Sequence, residues 1–113
     1  MTDDLDLALG YCDACHSGSP RVTDEEIARF HPQVPDWEIV TVDDVPRLVR
    51  TFRFKGWKPG VAFVAQLAAL ADETDHHPRI TLDWGYVTVE WWTHAIGGLH
   101  KNDFIMAAKV DRL

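Results

Sequence analysis

Three histidines are the side chains of this 113-residue chain best suited to chemistry. His76 and His77 are adjacent and directly precede Pro78, whereas His94 follows a segment rich in aromatic and β-branched residues. The ordinary pKa of histidine, about 6.5, lies nearest to neutrality among the side chains, so an imidazole can both donate and accept a proton. The three imidazoles therefore indicate proton-transfer chemistry.

Asp72 is the carboxylate best spaced to support this chemistry. It precedes His76 by four residues, and the two side chains share one face if the helix extends to His76, where a carboxylate can fix the tautomer of the imidazole. Pro78 disfavours helical geometry at His77, so we predict that both imidazoles lie at a helix end. His94 is predicted at a strand end, and the sequence leaves open whether the two ends meet in one pocket.

A metal site is the competing interpretation of the same residues. Its ligands would be Asp72, His76, His77 and His94. Adjacent residues on a helix point about 100° apart, so two neighbouring histidines do not easily bind one ion. Proton transfer without a metal ion is therefore the favoured prediction, and a metal-dependent hydrolase is the weaker one.

A Cys-x-x-Cys motif near the N-terminus, from Cys12 to Cys15, is a second candidate site. The spacing suits half of a zinc site or a redox pair, and His16 and His31 are the nearby residues that could complete the zinc ligands. The Gly, Ser and Pro residues that follow do not form the helix of a thioredoxin-like motif. We therefore expect two reduced thiols in an N-terminal arm.

The composition is that of a folded, acidic, single-domain protein. Hydrophobic residues make up 46% and charged residues 26%, and the formal net charge of -7 argues against nucleic acid as a partner. No apolar segment approaches the roughly 20 residues that span a bilayer, and the acidic start does not resemble a signal peptide, so we expect a cytoplasmic location without membrane association. Gly and Ser residues without periodicity predict an extended leader over residues 1–22, followed by one domain over residues 23–113.

Hydrophobic periodicity and turn signals predict seven elements in the order α-β-β-α-β-β-α. Thr23 and Glu26 form a capping box that begins the first helix, and Pro59 lies in the first turn of the long helix. The predicted ranges are 23–30, 37–42, 47–54, 59–75, 80–84, 86–93 and 102–111. Two hairpins separated by a helix indicate an α+β fold, a four-stranded antiparallel sheet with helices packed on one face.

The long helix is apolar on more than one face. Between Val61 and Ala71 the one polar residue is Gln66, and there is no charged residue. A helix that is apolar on two faces is buried on two faces, and in a chain of this size the second face is predicted to be covered by another subunit. The alternative is that small alanine residues tolerate exposure on that face.

A multi-part pattern in the second half of the chain resembles the signature of the pterin-4a-carbinolamine dehydratases. It runs Asp72-x-x-x-His76-His77-Pro78, Trp84, Thr93-His94, Gly98-Leu99 and Asp103. Trp37 and the segment Phe52-Arg-Phe-Lys55 also resemble family positions, so the resemblance extends from about residue 23 to the C-terminus. Several spaced motifs are far more specific than a single His-His pair.

The resemblance implies a hydro-lyase reaction, in which a 4a-hydroxytetrahydropterin loses water to give a quinonoid dihydropterin. It implies three catalytic histidines, with His76 and His94 as acid and base and His77 orienting the pterin. The substrate-binding positions that it implies are Asp72, Trp84, Thr93 and Asp103. It implies no metal and no cofactor. It also implies a functional link to an aromatic amino-acid hydroxylase, typically phenylalanine hydroxylase, and homodimers or homotetramers formed through sheet edges and the long helix.

Four positions depart from the family pattern. Asp72 replaces a glutamate and is one methylene shorter, Arg79-Ile80 replaces a common Glu-Trp, and Trp84 replaces a frequent tyrosine. His100 lies where serine or threonine often caps the last helix, so we predict that Asn102 caps it instead.

A non-enzymatic binding or regulatory module is the alternative function. The resemblance includes relatives that stabilise the oligomer of a protein partner, and non-enzymatic relatives would be expected to lose histidines. This chain keeps His76, His77 and His94, which favours the enzyme.

Overall fold

Four antiparallel strands and three α-helices form the part of the chain that the structure describes. The structure is a computed structural model, and it describes residues 6–10 and 20–113. The elements are α1 (Asp24–Phe30), β1 (Glu38–Val42), β2 (Val45–Arg53), α2 (Trp57–Thr74), β3 (Arg79–Asp83), β4 (Tyr86–Trp91) and α3 (Lys101–Val110), with short 3-10 turns at Leu7–Leu9, His31–Gln33 and His94–Ile96. The predicted α+β class and element order are confirmed, and each boundary differs from its prediction by no more than two residues.

The sheet has the strand order β1-β2-β4-β3, and every neighbouring pair is antiparallel. β4 therefore lies between two strands, with Arg79 at the start of β3 opposite Glu90 near the end of β4. This register brings the segment that enters β3 next to the segment that leaves β4. His76 precedes the first of these segments and His94 follows the second, so the topology directs both histidines to one end of the hairpin.

Alternation along β4 determines which face of the sheet is covered. The odd-numbered residues from Val87 to Trp91 are fully buried, whereas Thr88 and Glu90 on the other face are only partly buried. α2 and α3 pack on the buried face, and the contribution of α2 includes the fully buried Leu67. The prediction that the helices pack on one face is confirmed.

α2 follows a glycine whose conformation few other residues adopt. Gly56 has a φ of 117°, and the helix begins at Trp57, two residues before the predicted start. A second glycine, Gly60, permits close packing, because a Cβ atom there would lie 3.2 Å from a methyl group of Leu82 in β3. Gly60 therefore permits α2 to pack closely against the β3–β4 hairpin.

Only one face of α2 is covered by the described chain. Its buried residues are Gly60, Phe63, Leu67 and Ala71. The opposite face is exposed and mostly apolar, and between residues 61 and 69 it consists of Val61, Ala62, Ala65, Gln66, Ala68 and Ala69. The second subunit predicted to cover this face stays a prediction.

Residues 6–10 pack against α3. Leu7 and Ala8 are buried, and the ammonium group of Lys109 donates a hydrogen bond to the Ala8 carbonyl at 2.7 Å. The N–H of Leu7 donates to the side-chain oxygen of Gln33 at 3.1 Å. This part of the predicted leader is therefore folded against the helices, and the division of the chain after residue 22 stays a prediction.

Two further sequence predictions concern regions away from the histidines. Cys12, Cys15 and His16 lie outside the described residues, so the expectation of reduced thiols stays a prediction. Across residues 6–10 and 20–113, no helix has the length and apolar character needed to cross a membrane.

Candidate functional site

α2 ends in a left-handed residue that releases the histidine pair from the helix. Asp75 has φ 52° and ψ 37°, a region that few residues other than glycine, asparagine and aspartate adopt. The N–H of His76 donates to the Ala71 carbonyl at 3.2 Å, and the N–H of Asp75 donates to the Asp72 carbonyl at 3.4 Å, the two bonds of a Schellman motif. The chain therefore leaves the helix after Thr74, and His76 does not continue the helical face of Asp72.

His76 is held by a buried carboxylate of α3. Its Nε2 lies 2.7 Å from Oδ1 of Asp103, and the two side chains are 13% and 0% exposed. Its ring also stacks on Trp91, with centroids 5.4 Å apart and ring planes 9° from parallel. Since a carboxylate oxygen accepts hydrogen bonds, Nε2 donates, and Nδ1 is the imidazole atom left to exchange a proton with a substrate.

Asp103 is itself held by two further donors. Its Oδ2 accepts hydrogen bonds from the Thr93 hydroxyl at 2.8 Å and from the His100 N–H at 2.9 Å. Asp103 lies in the first turn of α3, where the positive end of the helix dipole favours a carboxylate. The donors compensate the burial of its charge and fix the orientation of His76.

The predicted pairing of Asp72 with His76 is wrong, because α2 ends at Thr74. Asp72 instead lies beside His77, with its Oδ1 3.1 Å from Nε2 of the imidazole. Both of these side chains are exposed, so their contact is a solvated surface pair. The region therefore contains one buried and one exposed aspartate–histidine pair.

The predicted cap of α3 is also wrong. The N-cap residue is His100, whose Nδ1 accepts a hydrogen bond from the N–H of Asn102 at 3.0 Å. A neutral imidazole nitrogen with a lone pair can accept this bond as a serine hydroxyl does. Asp103 completes the arrangement by accepting from the N–H of His100, so the helix start and the carboxylate partner of His76 are one unit.

His94 begins the 3-10 turn that follows β4. The preceding residue, Thr93, is buried and donates its hydroxyl hydrogen to Asp103, which fixes the start of the turn. The guanidinium Nε of Arg21 donates to the Ile96 carbonyl at 2.9 Å, which holds its end. Hydrogen bonds join the site residues His76 and Thr93 to Asp103 at the end of β4, and His94 is the residue that follows Thr93. The imidazole of His94 is exposed, and its ring contact is with Trp92.

Trp84 does not belong to this cluster within one chain. It is 71% exposed in the turn between β3 and β4. The adjacent pair Asp83–Tyr86 lies four residue pairs from the pair Arg79–Glu90 at the histidine end, which corresponds to about 13 Å along the hairpin. The structure therefore separates this expected substrate-binding position from the histidines.

Three residues that sequence reasoning did not assign to the site contact the histidines or support them. Trp91 stacks on His76, Trp92 packs beside His94, and the guanidinium carbon of Arg47 lies 3.9 Å from the centroid of the Trp92 ring. Successive strand residues point to opposite faces, so two tryptophans directly before the Thr93-His94 pair were a usable signal for Trp91 and Trp92. No comparable local signal exists for Arg47, because it lies on a different strand.

The chemistry of the cluster is that of a proton-transfer site. A buried carboxylate orients one imidazole, and a second imidazole lies exposed on the neighbouring turn. Among residues 6–10 and 20–113, no three His, Cys, Asp or Glu side chains are grouped so that they could hold a metal ion. The fold and cluster together define an α+β domain suited to acid–base chemistry.

Comparison with known sequences identifies the family. The family model described as pterin 4 alpha carbinolamine dehydratase matches residues 20–113. A protein from Nitrosococcus oceani is 53% identical over 108 residues, which cover 96% of each chain. A protein from Syntrophotalea carbinolica is 53% identical over 102 residues, which cover 90% of this chain and 91% of the relative. Both relatives are provisionally named pterin-4-alpha-carbinolamine dehydratase, and this chain belongs to the pterin-4a-carbinolamine dehydratase family.

Two solved structures share the fold. A protein from Brucella melitensis, described as a transcriptional coactivator/pterin dehydratase, is 30% identical with a TM-score of 0.73, over 82% of this chain and 97% of that one. A pterin dehydratase-like protein, described as a RuBisCO assembly factor in the alpha-carboxysome, is 29% identical with a TM-score of 0.59, over 68% of this chain and 87% of that one. The descriptions of these similar proteins include both enzymatic and assembly roles.

Proposed function

We propose that the chain is a 4a-hydroxytetrahydropterin dehydratase, a hydro-lyase that acts by histidine acid–base catalysis. The observation that carries this proposal is the buried His76–Asp103 pair, which Thr93 links to the turn that begins at His94. Membership of the pterin-4a-carbinolamine dehydratase family supports a pterin as the ligand. Two imidazoles around one strand end suit a reaction that removes one proton from a substrate and adds another.

The reaction needs one base and one acid. The proton on N5 of the pterin leaves, and the electron pair of the N5–H bond forms the double bond between N5 and C4a. The C4a–O bond breaks, and the hydroxyl group departs as water after it gains a proton. Both proton transfers suit imidazoles because their ordinary pKa lies near neutrality.

The contacts of the two imidazoles favour His76 as the base and His94 as the acid. When Nδ1 of His76 takes the N5 proton, the ring becomes an imidazolium, and the Asp103 carboxylate on Nε2 stabilises that charge. His94 is exposed, so it can protonate the departing hydroxyl and regain a proton from solvent. His77, with Asp72 beside it, orients the pterin.

The proposal includes a setting for this activity. The substrate arises when an aromatic amino-acid hydroxylase, typically phenylalanine hydroxylase, uses its pterin, and the dehydratase returns that pterin to the cycle. The active form is a homodimer or homotetramer in the cytoplasm. The proton transfers are carried out by protein side chains, without a metal ion or cofactor.

Replacement of His94 by alanine tests the proposed function. We expect His94→Ala to lower the dehydration rate by about 100-fold or more, the scale of a lost general acid or base. The assay follows formation of the quinonoid dihydropterin from a 4a-hydroxypterin generated in situ by a hydroxylase. His31→Gln is the control, because the His31 imidazole contacts the Trp37 carbonyl at 2.6 Å outside the site, and it should keep the wild-type rate. Wild-type activity in His94→Ala would remove His94 from the mechanism.

The second candidate function is a non-enzymatic module that stabilises a protein partner's oligomer. The similarity to a protein described as a RuBisCO assembly factor favours it. This function predicts that the purified wild-type chain does not accelerate dehydration at all, and that it forms a stable complex with a defined partner. Measurable dehydration by the wild-type protein, abolished in His94→Ala, supports the enzyme over the module.

A further inference from the structure

The imidazole of His94 is supported differently from those of the other two site histidines. His76 has a carboxylate and a stacked indole, and His77 has a carboxylate. In the described part of the chain, no hydrogen-bond partner of the His94 ring nitrogens is present, and its ring contact is with Trp92, at a centroid distance of 4.5 Å and an interplanar angle of 53°. The Trp92 indole is therefore the contact that orients this imidazole.

Trp92 is in turn fixed by a charged pair that spans two strands. The guanidinium of Arg47, on β2, lies over the Trp92 ring with its central carbon 3.9 Å from the centroid, a close cation–π contact. Nη1 of Arg47 also donates to Oε1 of Glu90 at 3.1 Å, and these side chains are only 11% and 15% exposed. Arg79 approaches the other oxygen of Glu90 at 3.7 Å. The indole is thus held against a guanidinium that cannot easily move.

The burial of Arg47 is costly for stability. Its Nε is buried, and no hydrogen-bond partner for it is found among the residues described by the structure. An unpaired buried donor of this kind destabilises a fold, so it calls for an explanation other than stability. Trp91 Nε1 is the other buried side-chain atom without such a partner, and Trp91 stacks on His76. Both unsatisfied groups therefore lie in the supports of site histidines.

We propose that Trp92 is a positioning residue for His94, and that Arg47 and Glu90 hold Trp92 in place for this role. The proposal rests on the dehydratase function. It adds to the reacting imidazoles a set of supporting residues, Arg47, Glu90 and Trp92. A general acid must be held close to the geometry of proton transfer, since small displacements lower the rate strongly. The His94 imidazole packs against the Trp92 indole. Loss of the indole, or of the residues that support it, should therefore lower the turnover rate more than it weakens substrate binding.

Kinetics of four variants test the proposal. We expect Trp92→Leu to lower kcat by about 10-fold or more with less than about a 3-fold change in KM, because an acid that samples several orientations still permits binding. Trp92→Phe keeps a ring and should recover most of this loss. Arg47→Met, which keeps the apolar stem but removes the guanidinium, should lower kcat by about 3- to 10-fold. The matched control is Arg50→Met, because Arg50 lies on the same strand with its guanidinium over Phe52 at 4.3 Å and an ion pair to Asp111, but without contact to Trp92.

An NMR measurement separates this proposal from the dehydratase function itself. The ring current of Trp92 should shift the Cε1–H resonance of His94, and the shift should be lost in Trp92→Leu and reduced in Arg47→Met, whereas the resonance of His76 stays in place. If the resonance of His94 changes in this way but no variant, including wild type, dehydrates a 4a-hydroxypterin, the positioning holds and the dehydratase function fails. If the wild type is active and Trp92→Leu keeps both its kcat and the His94 resonance, the positioning role is overturned. Equal loss of kcat in Arg50→Met and Arg47→Met would also overturn it.

Discussion

At the scale of single residues, the two aspartate–histidine pairs differ in how much they contribute to stability, because one is buried and the other is exposed. Asp103 is fully buried and accepts hydrogen bonds from His76, Thr93 and the His100 backbone. Asp72 is exposed and lies beside the exposed His77. The same chemical pair is therefore energetically important in one place and close to neutral in the other, because solvent screens the exposed charges.

Asparagine substitutions measure this difference. We expect Asp103→Asn to lower the free energy of unfolding by about 1–3 kcal/mol, because an amide replaces one acceptor with a donor facing buried hydrogen-bond donors. Asp72→Asn should change it by less than about 1 kcal/mol. Urea unfolding followed by tryptophan fluorescence gives both values. Under the proposed mechanism Asp103→Asn should also reduce kcat by at least about 10-fold, since the imidazolium of His76 loses its counter-charge. Equal stability losses in the two variants would contradict the assignment of burial as the cause.

At the scale of elements, the end of α2 decides where the histidine pair lies. Asp75 takes the left-handed conformation that ends the helix, and the next two residues are the histidines. The elements themselves were predictable from alternation, capping and helix length, because these are local signals. The partner of His76 was not, because Asp103 is 27 residues further along the chain and because local spacing favoured Asp72. Arg47 was likewise beyond prediction, since only the strand register brings it to Glu90 and Trp92.

A β-branched residue at the end of α2 tests this role of Asp75. Asp75→Val should lower the free energy of unfolding by about 1–2 kcal/mol, because a left-handed conformation is costly for such a side chain. Asp75→Gly should be at least as stable as the wild type, since glycine adopts this conformation freely. Glu73→Val, in the last turn of the same helix, is the matched control and should cost less than about 0.7 kcal/mol. Chemical denaturation measures all three, and equal losses in Asp75→Val and Glu73→Val would show that the left-handed conformation is not the cause.

At the scale of the whole molecule, the exposed apolar face of α2 is the feature that a monomer does not explain. We expect the protein in solution to have a mass at least twice the 12.8 kDa of one chain, because small apolar residues along one helix face pack readily against another copy. Ala65→Glu should reduce this mass, since a charge would be buried in the interface. Light scattering coupled to size exclusion measures both masses. A wild-type mass of one chain would contradict the prediction, and circular dichroism shows whether the variant stays folded.

The packing of Leu7 and Ala8 on α3 also has a consequence for the order in which the chain acquires its structure. Lys109 and Ala8, joined by a hydrogen bond, are separated by 101 positions, so the surface that receives residues 6–10 is synthesised long after this segment. During synthesis the side chains of Leu7 and Ala8 stay exposed to solvent until α3 leaves the ribosome. Closing a loop of this length is entropically unfavourable until other contacts shorten it. The segment is therefore expected to dock only after α3 has been synthesised and packed on the sheet.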